Sequence, residues 1–108
     1  LSLQIYLRSS DFFLANNWNA CTGAFLVHMI CNLRDIDLTP GDLIVITGDT
    51  HIYLSHIEAV KENLKRTPRP PCKLVLKEPK DDLRDYTYED IQLIGYHPYP
   101  SIKAEMAL

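Results

Sequence analysis

The stretch GDTHIYLSHIE, residues 48–58, holds two of the chain's four histidines together with Asp49, Tyr53 and Glu58. Such a set could ligate a metal, move a proton or hydrogen-bond a polar ligand. Ser55 and Glu58 have the S-x-x-E spacing of a capping box, which predicts a helix beginning there with His56 as its first residue. Asp49, His51 and Tyr53, each two apart, then share one face near a strand end. Even on one continuous helix, His51 and His56 would point about 140° apart. Helical zinc ligands need i, i+3 or i, i+4 spacing, so no metal site is expected. Two readings of His51 and Tyr53 stay open. They can pair as hydrogen-bonders to a polar ligand at a sheet end, or form a satisfied strand histidine beside a half-buried tyrosine.

RSSD at 8–11 poses a similar choice. Arg8 presents a planar fork for phosphate or carboxylate, Ser9 adds a hydroxyl, and a helix start nearby could complete an anion site. An Arg8–Asp11 ion pair closing a turn accounts for the same residues. Asn19 falls one residue into an apolar helix, where a buried amide needs partners and can read a base edge as readily as a backbone. His28 on the same helix reads as a core histidine hydrogen-bonded to backbone.

The elements that must position these residues follow from periodicity. Leu1, Leu3, Ile5 and Leu7 alternate with Ser2, Gln4, Tyr6 and Arg8, the pattern of a strand with one buried face that ends at RSSD. Asn16 and Asn17 are N-cap candidates for a helix from Trp18 to about Leu33. That segment is apolar on nearly every side, as a helix buried at the centre of a layered domain would be. Thr39–Asp42 signals a turn, and LIVIT at 43–47 an interior strand. Ile57, Val60 and Leu64 give the next helix its apolar stripe. TPRPP at 67–71 is a stiff connector, KLVLK at 73–77 and Ile91–Tyr96 are strands, and YHPYP at 96–100 is extended.

At 108 residues, 46% hydrophobic, 23% charged and net charge −3, the chain suits one folded domain with a modest core and has no general attraction for nucleic acid. Lys61, Lys65, Arg66 and Arg69 cluster, but Glu58 and Glu62 interleave with them, the mark of a solvated helix face. No apolar run approaches the roughly 18 residues of a membrane span. Cys21, Cys31 and Cys72 are odd in number and lack CxxC spacing, so free thiols in a reducing compartment are expected. The chain starts without Met, directly in a strand pattern, which suggests that an upstream part is missing.

Taken in order, RSSD at 8–11, Asn19 after an aromatic, GDTHIYLSHIE at 48–58, RTPRPP at 66–71 and GYHPYPSIKAEMAL at 95–108 resemble the C-terminal part of thymidylate synthases. The resemblance covers all 108 residues. It implies a single α+β domain portion, with a mixed β-sheet packed by helices, one of them buried centrally, in a cytoplasmic homodimer. It also implies a methyltransferase that converts dUMP to dTMP with 5,10-methylenetetrahydrofolate as carbon donor and reductant, through a cysteine thiolate at C6 of uracil. Carried over position by position, Arg8 and Ser9 would bind the dUMP phosphate, and Asp11 would orient pyrimidine and folate. Asn19 would read the O4/N3 edge of uracil, and His51 with Tyr53 would hold the deoxyribose 3′-hydroxyl. Asp11, Leu14, Ala15, Trp18 and Ala107 fall where the family contacts folate, and the chain end would fold over the ligands.

The departures are specific. The family's nucleophile sits in a Pro-Cys-His motif upstream of the RSSD strand, and none of the three cysteines here has that context. This chain alone is therefore expected to be inactive. LANNWN at 14–19 stands where the family usually has Leu-Gly-x-Pro-Phe-Asn, so Ala15 replaces a glycine, Asn17 a proline and Trp18 a phenylalanine, while Leu7 replaces a glutamine. The altered loop leaves room for a hydroxymethylase of the same superfamily, and the missing nucleophile for a non-catalytic nucleotide-binding homologue.

Overall fold

The computed structural model describes residues 1–106. Strand β1 spans Leu3–Asp11, helix α1 Asn16–Cys31 and strand β2 Leu43–His51. A short 3-10 turn, Leu54–His56, leads into helix α2 at Ile57–Leu64. Strands β3 (Lys73–Leu76) and β4 (Ile91–Ile94) follow, separated by two further 3-10 turns. No described helix is long and apolar enough to cross a membrane.

β1 and β2 pair in parallel, from Leu3↔Leu43 to Asp11↔His51, which requires the α1 crossover between them. Leu3, Ile5 and Leu7 turn toward that helix, and Gly23 of α1 lies against Leu43 and Ile5. β3 and β4 form a separate antiparallel pair. The single mixed sheet expected from the resemblance thus appears as two two-stranded sheets. The link between them runs through the end of α1. There Asn32 Nδ2 donates to Lys77 O at 3.1 Å and to Tyr86 Oη at 2.8 Å, and the Arg34 N–H donates to Lys80 O at 2.8 Å.

Several expectations are corrected. RSSD does not end the first strand: pairing with β2 carries β1 through Ser9↔Asp49 to Asp11. Asn16 and Asn17 are helical residues, not caps. The Asp11 carboxylate takes the local donors instead, accepting from the Phe13 and Leu14 N–H groups, each at 3.1 Å. α1 is not buried at the centre; only Gly23 and Val27 are fully covered, because the sheet meets a single stripe of it. Nor does the Ser55/Glu58 capping box form. The 3-10 turn places His56 at the N-cap of α2, and Glu58 pairs with Lys61 at 2.7 Å. Leu64, counted in that helix's apolar stripe, is 78% exposed. Burial is sparse throughout, with Val27 the one buried hydrophobic side chain among the described residues. The radius of gyration, 16.3 Å, exceeds the roughly 13 Å of a compact chain this long.

Candidate functional site

Two parallel strands that end side by side bring their last residues together, and ligands in such folds commonly sit beyond those ends. Asp11 and His51 are register partners, as are Ser9 and Asp49, so chemistry-bearing residues from two distant stretches meet at one edge. The Phe12 N–H donates to His51 O at 3.0 Å and continues the ladder one step past β1. α1 begins immediately afterwards and carries Asn19 one turn in, its own N–H bonded to Ala15 O at 3.0 Å.

Close approach of the strands is built in at Gly48. A Cβ there would lie 2.6 Å from the Arg8 carbonyl oxygen, a backbone atom, so only glycine fits beside Arg8 without a shift of β1. Arg8 and Ser9 are exposed, and the Arg8–Asp11 ion pair does not form; Arg8 has no carboxylate partner among the described residues. A guanidinium without such a partner is available to an anion.

His51 Nδ1 lies 3.2 Å from Asp49 O. A carbonyl only accepts, so that contact places the proton on Nδ1 and leaves Nε2 as an acceptor. Tyr53 follows the strand, its ring edge-on to His51 at 5.0 Å between centroids and 39% of its surface exposed. An imidazole acceptor beside a phenol that can donate or accept suits a ligand hydroxyl. The Asn19 amide makes no side-chain hydrogen bond to another described residue, and it is half-buried. His28 is half-buried too, and the backbone hydrogen bond expected for its ring is not found among the described residues.

Leu14 and Trp18 line a cleft of about 500 Å³ with Phe12, Phe13 and Tyr99, open to solvent enough that Trp18 is 66% exposed. Ala15 and Asp11 lie beside it in sequence but not in its lining. Ala107 lies outside the described residues. A second cleft, of about 720 Å³, runs along the proline connector between Asn63 and Tyr99. It contains none of the expected site residues.

Sequence reasoning missed two features. Arg66 and Arg69 are not part of a solvated helix face; they donate to carbonyls of the C-terminal segment and flank the Tyr99 ring. His56, read only as a helix-start residue, is fully buried, with Nε2 at 2.6 Å from Glu105 O. Its partner is 49 residues away, so no local pattern could have announced it. Among the described residues no group of three or more His, Cys, Asp or Glu side chains could hold a metal.

The thymidylate synthase family model matches residues 1–108. The thymidylate synthase of Pseudomonas fluorescens (strain SBW25) is 44% identical over 108 residues, which is the whole of this chain and 38% of that relative. A match that runs unbroken through the strand ends, the α1 crossover and the C-terminal segment leaves one assignment: this chain belongs to the thymidylate synthase family.

Proposed function

We propose that this chain is the nucleotide-gripping portion of an enzyme that reductively methylates dUMP to dTMP. The observation that carries the reading is the convergence of Asp11 and His51 at the paired ends of β1 and β2, with Arg8, three residues earlier on β1, lacking a carboxylate partner among the described residues. Arg8 and Ser9 bind the phosphate, as a forked cation and a hydroxyl can. His51 Nε2 accepts from the deoxyribose 3′-hydroxyl and Tyr53 completes that grip. The Asn19 amide, unpaired among the described residues, reads the O4/N3 edge of uracil, and Asp11 holds the pyrimidine and folate in mutual orientation.

The aromatic cleft between Phe12, Leu14 and Trp18 fits the flat heterocycle of 5,10-methylenetetrahydrofolate, with Ala15 at its margin and Ala107 assigned to the same co-substrate. When bound, that folate supplies the one-carbon unit and the reducing equivalents. The attacking cysteine is not one of Cys21, Cys31 or Cys72, which lie on α1 and beside the proline connector, so the chain alone is inactive. All three cysteines are free, in keeping with a cytoplasmic setting. Tyr6 (72% exposed) and Ile44 (47%), on the sheet face away from α1, suit a homodimer formed by stacking sheets.

The test is tritium release from 5-labelled dUMP with methylenetetrahydrofolate, using the full natural gene product. dTMP formed in step with tritium release is the expected result. Failure to release tritium overturns the reading, and 5-hydroxymethyl-dUMP as sole product replaces it with the hydroxymethylase.

A further inference from the structure

The segment from His97 to Glu105 has no regular secondary structure. Side chains from residues 56–69 hold it by its backbone carbonyls. Arg69 Nη1 donates to His97 O at 2.6 Å and, more weakly, to Pro98 O at 3.4 Å. Arg66 Nη1 donates to Pro100 O at 2.7 Å. The Tyr99 ring lies under both guanidinium groups, 4.0 Å from Arg69 and 5.4 Å from Arg66. These two clasps are exposed to solvent, so water can replace either bond at small cost.

The third clasp differs. His56 is 0% exposed and its Nε2 sits 2.6 Å from Glu105 O. Since the carbonyl only accepts, Nε2 carries the proton. Nδ1 is then a bare acceptor, buried and without a hydrogen-bond partner among the described residues. The fold thus tolerates one unsatisfied nitrogen while the other grips the Glu105 backbone, in a place where water cannot substitute. The same ring lies edge-on to Tyr53 at 5.6 Å and against Phe13 at 5.6 Å. Tyr53 in turn packs edge-on to His51. One aromatic row therefore runs from the strand-end pair through His56 to the backbone just before Met106.

We infer that His56 is a positioning residue that fastens the segment 97–105 to the His51–Tyr53 pair, so that the grip on the nucleotide sugar and the placement of that segment are set by one side chain. The role of the pair rests on the proposed function; the fastening itself does not. It is tested on the full natural gene product without ligand, by following carboxypeptidase trimming through Glu105 with mass spectrometry. His56→Phe keeps the ring and removes the donor, and is expected to speed trimming about tenfold, the worth of one buried hydrogen bond. His56→Gln places an amide N–H where Nε2 stood and should restore the rate to within about twofold of the wild type.

Trimming of His56→Phe at the wild-type rate overturns the inference. So does trimming of His56→Gln as fast as His56→Phe, because ring packing would then be the whole effect. If His56→Phe does not fold, His56→Asn, whose amide reaches only the Nδ1 position, takes its place and should trim fast while His56→Gln trims slowly; equal rates refute the clasp. Calorimetric titration with dUMP runs alongside. Normal dUMP binding with no trimming contrast sinks the clasp alone, and a trimming contrast without dUMP binding sinks the proposed function alone.

Discussion

Gly48→Ala perturbs the site without replacing any residue assigned to the ligand. The added methyl would lie 2.6 Å from Arg8 O, 3.4 Å from Arg8 C and 3.6 Å from Leu7 O. Carbon and oxygen make ordinary contact at about 3.3 Å, so β1 must retreat by roughly 0.7 Å at Arg8. It cannot retreat freely, because Leu7↔Thr47 and Ser9↔Asp49 pin it on both sides. Overpacking of this kind costs about 1–3 kcal/mol, offset by about 0.4–1 kcal/mol from the smaller freedom of the unfolded chain. The expected net loss is about 1–2 kcal/mol. The shift also re-aims Arg8, and a misplacement on that scale should weaken dUMP binding by roughly ten- to a hundredfold. Gly23→Ala is the control. Its methyl meets Leu43 Cδ1 at 2.9 Å, the far end of a side chain that can rotate, and α1 gains about 1 kcal/mol of helix propensity. Urea unfolding followed by circular dichroism and calorimetric dUMP titration decide the matter. A Gly48→Ala protein with wild-type midpoint and affinity, or a Gly23→Ala protein equally damaged, refutes the reasoning.

Arg8→Ala should weaken dUMP binding by about 2–3 kcal/mol, as loss of a charge-assisted phosphate contact does, and unchanged affinity by calorimetry removes Arg8 from the phosphate site. Asn19→Asp should move preference from dUMP toward dCMP, because a carboxylate cannot donate to O4 but accepts from the cytosine amino group; competition binding with the two nucleotides reads this. Asp90 offers a pH test. Its carboxyl is held below the ordinary range by the Thr87 N–H first, at 2.9 Å, and by Lys80 at 3.2 Å. A lowered folded-state pKa means the contribution is complete above about pH 4 and is lost as pH falls through the folded value. The stability gap between wild type and Asp90→Asn, measured by urea unfolding, should therefore close as pH drops below about 4. A gap that persists in acid argues against the carboxylate as its source.

What local pattern could reveal, it did. Alternation at Leu3, Ile5 and Leu7 identifies β1 and its buried face, and β-branched LIVIT identifies β2. The outer half of β1, RSSD, was illegible as strand because its polar residues are held in register by β2 and not by a core, whereas GDTH was read as lying near a strand end, where β2 does finish. Cap chemistry misled in the same way. Asn16 and Asn17 have cap-forming side chains, yet Asp11 takes the turn's donors, and a 3-10 turn displaces the Ser55/Glu58 pairing. Most remote from sequence reasoning were Arg66, Arg69 and His56, whose partners lie 28 to 49 residues ahead. The strand-end residues were chemically suggestive but undecided by themselves, and only the family's pattern singled them out.

The constant register of β1 on β2 has a kinetic side. Leu3 meets Leu43 and Asp11 meets His51, forty positions apart in both cases. Closing a loop that long costs about 3 kcal/mol of chain entropy before any pair is rewarded. α1, made of contacts three and four residues apart, can form in well under a millisecond, whereas the strand ends meet only after the crossover has closed. Nucleotide affinity should therefore return after helicity when the protein refolds, and a cut between residues 34 and 42 would turn that closure into an encounter between two separate chains.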